Sequence, residues 1–394
     1  MNDPTTLLFD PGAADAPQDA YRQIRTECPV TRVPGPAGPA GGDQTVYLAS
    51  YEEAIWALRH PEVFSSAPGA VDIGQDHPLI PLQVDPPDHA KYRRLLDPEF
   101  SPRRMLELEP DVRMLVNQII DGFVDRGECE FHEEFATPLP SAIFLRLMGL
   151  PQSDLATMLE WRDDTVRPDT DDLEEAARIR AAVGPKITAY FTEQLAARRT
   201  APDDGLLSRI AVGEVDGRPL TQDEMLGTCH LLLIAGLDTV TATLDCMVAY
   251  LAQHPEERGR LVADPALVDG TVEELLRHET PVALLPRLVT QDATIGGVDI
   301  KAGDGCLVLI GAANGDEGEF DAADVVDFER AANRHLAFGA GPHRCLGSHF
   351  ARLELRVAIE EFHRRIPDYR IADGAEIHHS AGIRQADHLP LVWP

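Results

Sequence analysis

The feature that most limits the choice of folds lies past the middle of the chain. Thr221-Gln-Asp-Glu224 has the Ser/Thr-x-x-Glu form of a capping box. In such a box the hydroxyl and the carboxylate each satisfy a backbone N–H left open at a helix start. The apolar pattern then continues without proline through Gln253. The spacing predicts one unbroken helix over 221–253, and some 32 residues at 1.5 Å each span about 48 Å, enough to cross a whole domain.

Elsewhere the pattern is again mainly helical. The stretch 34–43, PGPAGPAGGD, is punctuated as a long surface turn. After it, 45–48 is β-favouring, and 51–59 places Ala54, Ile55 and Leu58 on one helical face before Pro61. From 102 to 209 amphipathic helices alternate with turns near 151–154 and 200–204, further helices are expected at 268–278 and 348–364, and short strands at 293–300 and 307–310. The expected class is mainly α with a small β part. No internal repeat or linker separates two cores, so 1–394 is read as a single domain despite its length.

Charge and cysteine usage exclude several functions. With 35 Lys and Arg against 66 Asp and Glu, the formal charge of -31 repels a phosphate backbone, so nucleic acid is not expected as a partner. The cysteines at 28, 129, 229, 246, 306 and 345 form no C-x-x-C pair and no disulfide framework, which suits a reducing cytoplasm. The N-terminal residues lack a basic segment followed by an apolar one, and no apolar run approaches the roughly 18 residues of a membrane span. A soluble chain with no membrane anchor is expected.

Polar residues in unusual settings mark the chemistry. Cys345 sits in F-G-A-G-P-H-R-C-L-G, between Gly341 and Gly347 and just ahead of a helix. Glycines allow backbone to approach a flat ligand, and amides near a helix start keep a thiolate anionic, which suits an axial metal ligand. A buried cysteine in a Gly-rich turn is the plainer alternative. In A-G-L-D-T, Asp238 and Thr239 interrupt the apolar helix. Thr239 can bond back to the carbonyl of Ala235 and bend the helix, with Gly236 leaving room beside it. Glu274 and Arg277 are three apart, and so are helix-face neighbours. His89 and Arg93 share a face at i,i+4, and Arg287 lies beyond Glu274 and Arg277.

Taken together these segments resemble the cytochrome P-450 family. The haem signature F-x-x-G-x-H-x-C-x-G, with A-R-x-E after it, is matched at Phe338, Gly341, His343, Cys345, Gly347, Ala351, Arg352 and Glu354. The resemblance implies haem b between the long helix and the Cys loop, with Cys345 as the iron ligand that favours O–O cleavage. It implies propionate contacts from His343, His89, Arg93 and Arg287, and proton delivery by Asp238 and Thr239 through the A-G-x-[DE]-T motif. Glu274, Arg277 and Arg330 match the family's structural charge network. One departure is visible at Ala313-Asn-Gly315-Asp316, where the family often reads A-N-R-D.

The implied activity is insertion of one atom of dioxygen into a small apolar substrate, with electrons from a ferredoxin and its NAD(P)H-dependent reductase. Val282, Leu284, Leu285 and the segment 77–82 are candidate pocket lining. Arg94, Arg103, Arg104 and Arg344 are candidates for a face that docks the ferredoxin. A peroxide-driven haem-thiolate enzyme and a non-catalytic haem protein serving a biosynthetic partner are the alternatives.

Overall fold

The computed structural model describes residues 11–35, 43–71, 73–170, 172–380 and 383–394. Most of the expected turn at 34–43, and the first ten residues, lie outside them. The capping box closes as expected. The Glu224 N–H donates to the Thr221 hydroxyl at 3.2 Å, and the Thr221 N–H donates to the Glu224 carboxylate at 2.7 Å.

The rod that follows is two helices, Gln222–Leu237 and Thr239–Gln253, broken at Asp238. The cause is local. Thr239 Oγ1 donates back to the Ala235 carbonyl at 3.1 Å, and the Leu237 carbonyl accepts from Arg162 Nη1 at 3.1 Å and Thr241 Oγ1 at 3.4 Å. Hydroxyls and a guanidinium that compete for ladder carbonyls bend a helix at that point. The expectation that no segment is long and apolar enough for a membrane span also needs correction. Gln222–Gln253 contains an 18-residue window of mean hydropathy 1.7, although 72% of that window is buried inside the protein.

Helices wrap the rod. Pro102–Asp121 packs along Ser348–Arg365, and Val112, Val116 and Ile120 of the first share one core with Leu355, Ile359 and Phe362 of the second. Each such buried side chain contributes roughly 1.5–3 kcal/mol. Pro138–Met148, Leu155–Val166, Leu173–Thr200 and Leu206–Ala211 fill the region read from sequence as a run of helices. Pro110 and Pro185 lie inside two of these helices without ending them.

The β part is small. A five-stranded sheet runs in the order Val30–Pro34, Gln44–Leu48, Gly305–Val308, Leu285–Val289, Phe64–Ser65. Its third strand pairs parallel to the second and antiparallel to the fourth, which sets Cys306 opposite Arg287. Two strand expectations change. The stretch 293–300 is a hairpin, Ala293–Ile295 with Val298–Ile300, because Gly296 and Gly297 both adopt positive φ at its turn. The strand expected at 307–310 is Gly305–Val308, and Ile310 already begins a helical turn.

Candidate active site

The Cys loop is shaped by close backbone packing. Gly341 has φ +67°, and a Cβ there would lie 2.2 Å from the Leu58 carbonyl oxygen, so this turn accepts glycine alone. The Cys345 N–H donates to the Phe338 carbonyl at 2.8 Å, and helix Ser348–Arg365 starts after Gly347. Cys345 is exposed, and its open surface faces a cavity of about 390 Å³ that it lines. Although the residue opens onto the cavity, the protein packed around its sulfur pushes the thiol pKa up, while the Gly347 amide and Arg93, Arg344 and Arg352 pull it down. By contrast, Cys129, Cys246 and Cys306 are buried and pushed up to about 12, which makes them inert thiols.

Across the cavity lies the bent rod. Ala235, Gly236 and Thr239 line it, opposite Phe338, Gly339 and Gly347. The room beside Gly236 is taken by Phe144, whose ring carbon would lie 2.4 Å from a Cβ. Asp238 is fully buried and faces away from open space. Arg167 holds both of its oxygens, one at 3.2 Å, and Arg162 approaches to 3.7 Å. These cations also stand at the carbonyl end of helix Gln222–Leu237, where positive charge is favoured.

At one end of the cavity His89, Arg93, Arg287 and His343 converge. The two imidazoles are 4.4 Å apart, and Arg93 donates to the Arg344 carbonyl at 2.7 Å and to Asp97 at 2.7 Å. Burial lowers the pKa of His89, and Arg93 lowers it further. Burial, His89, Arg287 and Arg93 together push His343 down to about 3. His343 Nε2 is buried with no hydrogen-bond partner, and its nearest acid, Asp85, is 3.8 Å away and already held by Ser65 and the Ser66 N–H. Arg287 is 6% exposed, and its Nη1 donates to the carbonyl of its neighbour Pro286. Three buried bases, His89, Arg287 and His343, whose nearest acid is already committed, beside an Arg93 that Asp97 holds, fit a ligand that carries carboxylates. An apolar slot with a cysteine sulfur on one wall and this cluster at its rim fits haem.

The sequence-derived charge network assembles deep in the protein. Glu274 and Arg277 are 0% and 1% exposed and pair at 2.7 and 2.9 Å. Arg330 Nε reaches both Glu274 oxygens at 3.0 and 3.1 Å, and Arg277 Nη1 donates to the carbonyls of Asn314 and Ala323, each at 2.9 Å. Sequence reading missed Asn333, whose Nδ2 donates to Glu274 at 3.0 Å. At the departure from the family pattern, a side chain on Gly315 would meet Arg25, which fills that space. Asn314 is held by Leu336 and Thr280.

Other calls divide. Val282, Leu285, Pro81 and Leu82 line the cavity, whereas Leu284 packs toward Tyr21 and Tyr47, and His77 faces Asp223 at 3.4 Å. Leu284 precedes strand Leu285–Val289, and neighbouring residues there point to opposite sides. Of the four surface arginines, Arg103 and Arg104 share Glu107 at 3.7 and 2.9 Å, and Arg94 meets Asp216 at 3.4 Å. Glu99, close to them in sequence, pairs with Arg209 at 2.9 Å. Arg344 is exposed and lines the cavity mouth.

Known proteins of similar sequence and structure agree with this arrangement. The cytochrome P-450 family model matches residues 260–365. The chain is 33% identical to the steroid C26-monooxygenase of Mycolicibacterium smegmatis, over 91% of this chain and 88% of that one. It is 34% identical to the vitamin D(3) 25-hydroxylase of Pseudonocardia autotrophica, over 95% and 93%. A myxobacterial cytochrome P-450 solved with myristic acid superposes with a TM-score of 0.89 at 31% identity, covering 98% of each chain. The chain belongs to the cytochrome P-450 family: it is a monooxygenase that uses haem b with a cysteine thiolate ligand.

Proposed function

We propose that this chain is one cytoplasmic haem domain that hydroxylates or epoxidises a small apolar molecule, with Cys345 as the iron ligand. The observation that carries the reading is the cavity itself. Its walls are apolar, with Cys345 on one side and Thr239 on the other. When bound, the haem supplies activation of dioxygen for insertion of one atom into the substrate. The protein's part is to hold and to deliver. His89, Arg93, Arg287 and His343 hold the propionates, the bidentate fork of an arginine suiting a carboxylate best. Thr239 orders water beside the reaction site, and Asp238 passes protons to it as its ion pair with Arg167 exchanges. Val282, Leu285, Pro81 and Leu82 exclude water from the bound substrate.

Steroids, vitamin D and fatty acids are the substrate classes to which the relatives' names point, and a terpenoid or other secondary metabolite fits the same apolar walls. Electrons come from a ferredoxin and its reductase, docked at Arg94, Arg103, Arg104 and Arg344. A library of these compounds is screened for a low-spin to high-spin shift of the haem. Each binder is then turned over with ferredoxin and reductase, and separately with peroxide. The reading expects an apolar binder that is oxidised with reductase present. Turnover with peroxide alone contradicts the electron source. A spin shift without any product contradicts catalysis.

A further inference from the structure

A polar cluster lies outside the cavity, on the rod. Asp245 follows Asp238 by seven residues along the rod, so the two carboxyls share a helix face, roughly 10 Å apart along the axis. Thr241 lies between them on that face, and all three are 0% exposed. Asp245 Oδ2 is 2.7 Å from His132 Nδ1, and Asp245 Oδ1 is buried without a hydrogen-bond partner. His132 belongs to the turn His132–Ala136, which packs on helix Thr239–Gln253, and its side chain is 15% exposed. Its Nε2 is 3.5 Å from Thr137 Oγ1 and from Gln385 Nε2. The pair therefore reaches from near the surface to the helix face that carries Asp238.

The charged groups around the pair come from every neighbouring segment. Glu130 stands on strand Glu128–Glu130, Arg162 on helix Leu155–Val166, Arg167 just after that helix, and Asp387 on the C-terminal segment. Burial pushes Asp245 up to about 7. Burial works against a charged His132, but its hydrogen bond to Asp245 and the negative charges of Asp245 and Glu130 together outweigh burial and raise the imidazole. The two groups are close enough to share a proton and titrate as a pair.

We infer that His132 and Asp245 form a proton entry port for the rod: His132 takes a proton from solvent at Nε2, passes its Nδ1 proton to Asp245, and Asp245 hands a proton on through the Thr241 hydroxyl and ordered water to Asp238. One proton enters for each one delivered. The carboxyl is then ionised again, and the imidazole regains its Nδ1–H tautomer when the ring swings away from Asp245, so that Nδ1 takes up a proton from solvent while Nε2 gives one back. Thr241 suits the middle position because its oxygen lone pairs can accept from Asp245 while its own proton, which rests on the Ala136 carbonyl at 3.0 Å, turns toward water beside Asp238. The inference rests on the reading of Asp238 and Thr239 as the proton-delivering pair.

The test uses holoenzyme and begins without turnover. Histidine-labelled protein is titrated by NMR, and the His132 imidazole should titrate above the ordinary histidine range and fall in Asp245→Asn. A His132 titration that ignores Asp245 overturns the port. Turnover is then followed as reduced-nicotinamide and dioxygen consumption, with reconstituted ferredoxin and reductase and the library compound giving the largest spin shift. Asp245→Asn and His132→Gln should each lower kcat about tenfold with KM unchanged and raise the solvent isotope effect. Because the groups act in series, Asp238→Asn with Asp245→Asn should be no slower than Asp238→Asn alone. If Asp238→Asn itself keeps the parent rate and isotope effect, the reading of Asp238 falls. If Asp238→Asn is slow while Asp245→Asn and His132→Gln match the parent, the port alone falls. A lowered thermal midpoint with the parent isotope effect marks the pair as structural, and also overturns the port.

Discussion

Two of the protein's buried charge clusters are completed differently. Around Glu274 the charges are paired: Arg277 and Arg330 grip the carboxylate, Asn333 and the Asp327 N–H complete it, and backbone carbonyls take up the spare guanidinium donors, with the Asn333 Oδ1 alone left without a partner among the described residues. Around Arg287 the bases lower one another, His343 Nε2 has no partner, and the nearest acid is committed elsewhere. A satisfied cluster holds the fold together. A cluster of buried bases short of acids is costly to keep and suits an anionic ligand that would complete it.

The largest expected effect lies on the satisfied side. Glu274→Gln leaves two buried guanidiniums without their counter-charge and should cost about 3–5 kcal/mol. Chemical denaturation should show that loss, and recovered protein should be poor in haem. A parent midpoint would mean that the network is not structural. Arg287→Met should act the other way. Haem-free stability should hold or rise, since a desolvated cation is removed, while haem loss to an apo-globin trap should quicken on the order of ten- to a hundredfold, the worth of one charged hydrogen bond at roughly 1.5–3 kcal/mol. Equal stability losses in both variants would erase the distinction between the clusters.

Acidity sharpens the comparison. The folded chain holds His343 near 3 instead of 6.5, so between those values the unfolded chain binds a proton that the fold refuses. Haem-free stability should therefore fall as pH drops from about 6.5 toward 3, at no more than about 1.4 kcal/mol per unit from this group. His343→Gln should flatten that part of the curve. Bound propionates should flatten it too, by favouring the imidazolium. An unchanged slope in His343→Gln removes the imidazole from the account. The smallest effect on stability belongs to Arg103→Glu, Arg104→Glu and Arg344→Glu combined, where exposed pairs contribute little. Ferredoxin-driven reduction should nevertheless slow and lose salt dependence, because attraction between separated charges is screened over about 8 Å at physiological ionic strength. A parent rate with the parent salt dependence places docking elsewhere.

Much of the site was legible in the sequence because its signals are short. The capping box, the glycines around Cys345 and the Glu274–Arg277 spacing each fit within one or two helical turns, where chain distance and spatial distance agree. The bend at Thr239 was legible for the same reason, whereas its extent was not: the break depends on Arg162 reaching the Leu237 carbonyl from 75 residues away. Asn333, Arg167 and the His132–Asp245 pair also meet partners across long loops, and no local pattern announces them. Two misses had a readable signal. Gly296-Gly297 inside a β-favouring run marks a hairpin turn. The strand period separates Leu284 from Leu285 once the strand start is fixed.

The account stands on Cys345. Carbon monoxide bound to the dithionite-reduced holoenzyme should give the red-shifted band of a thiolate-ligated haem, and Cys345→Ala should lose that band while the Glu274 network keeps the fold intact by circular dichroism. If the band persists in Cys345→Ala, the sulfur that faces the cavity is not the iron ligand, and the assignment of the cavity as the haem site fails with it.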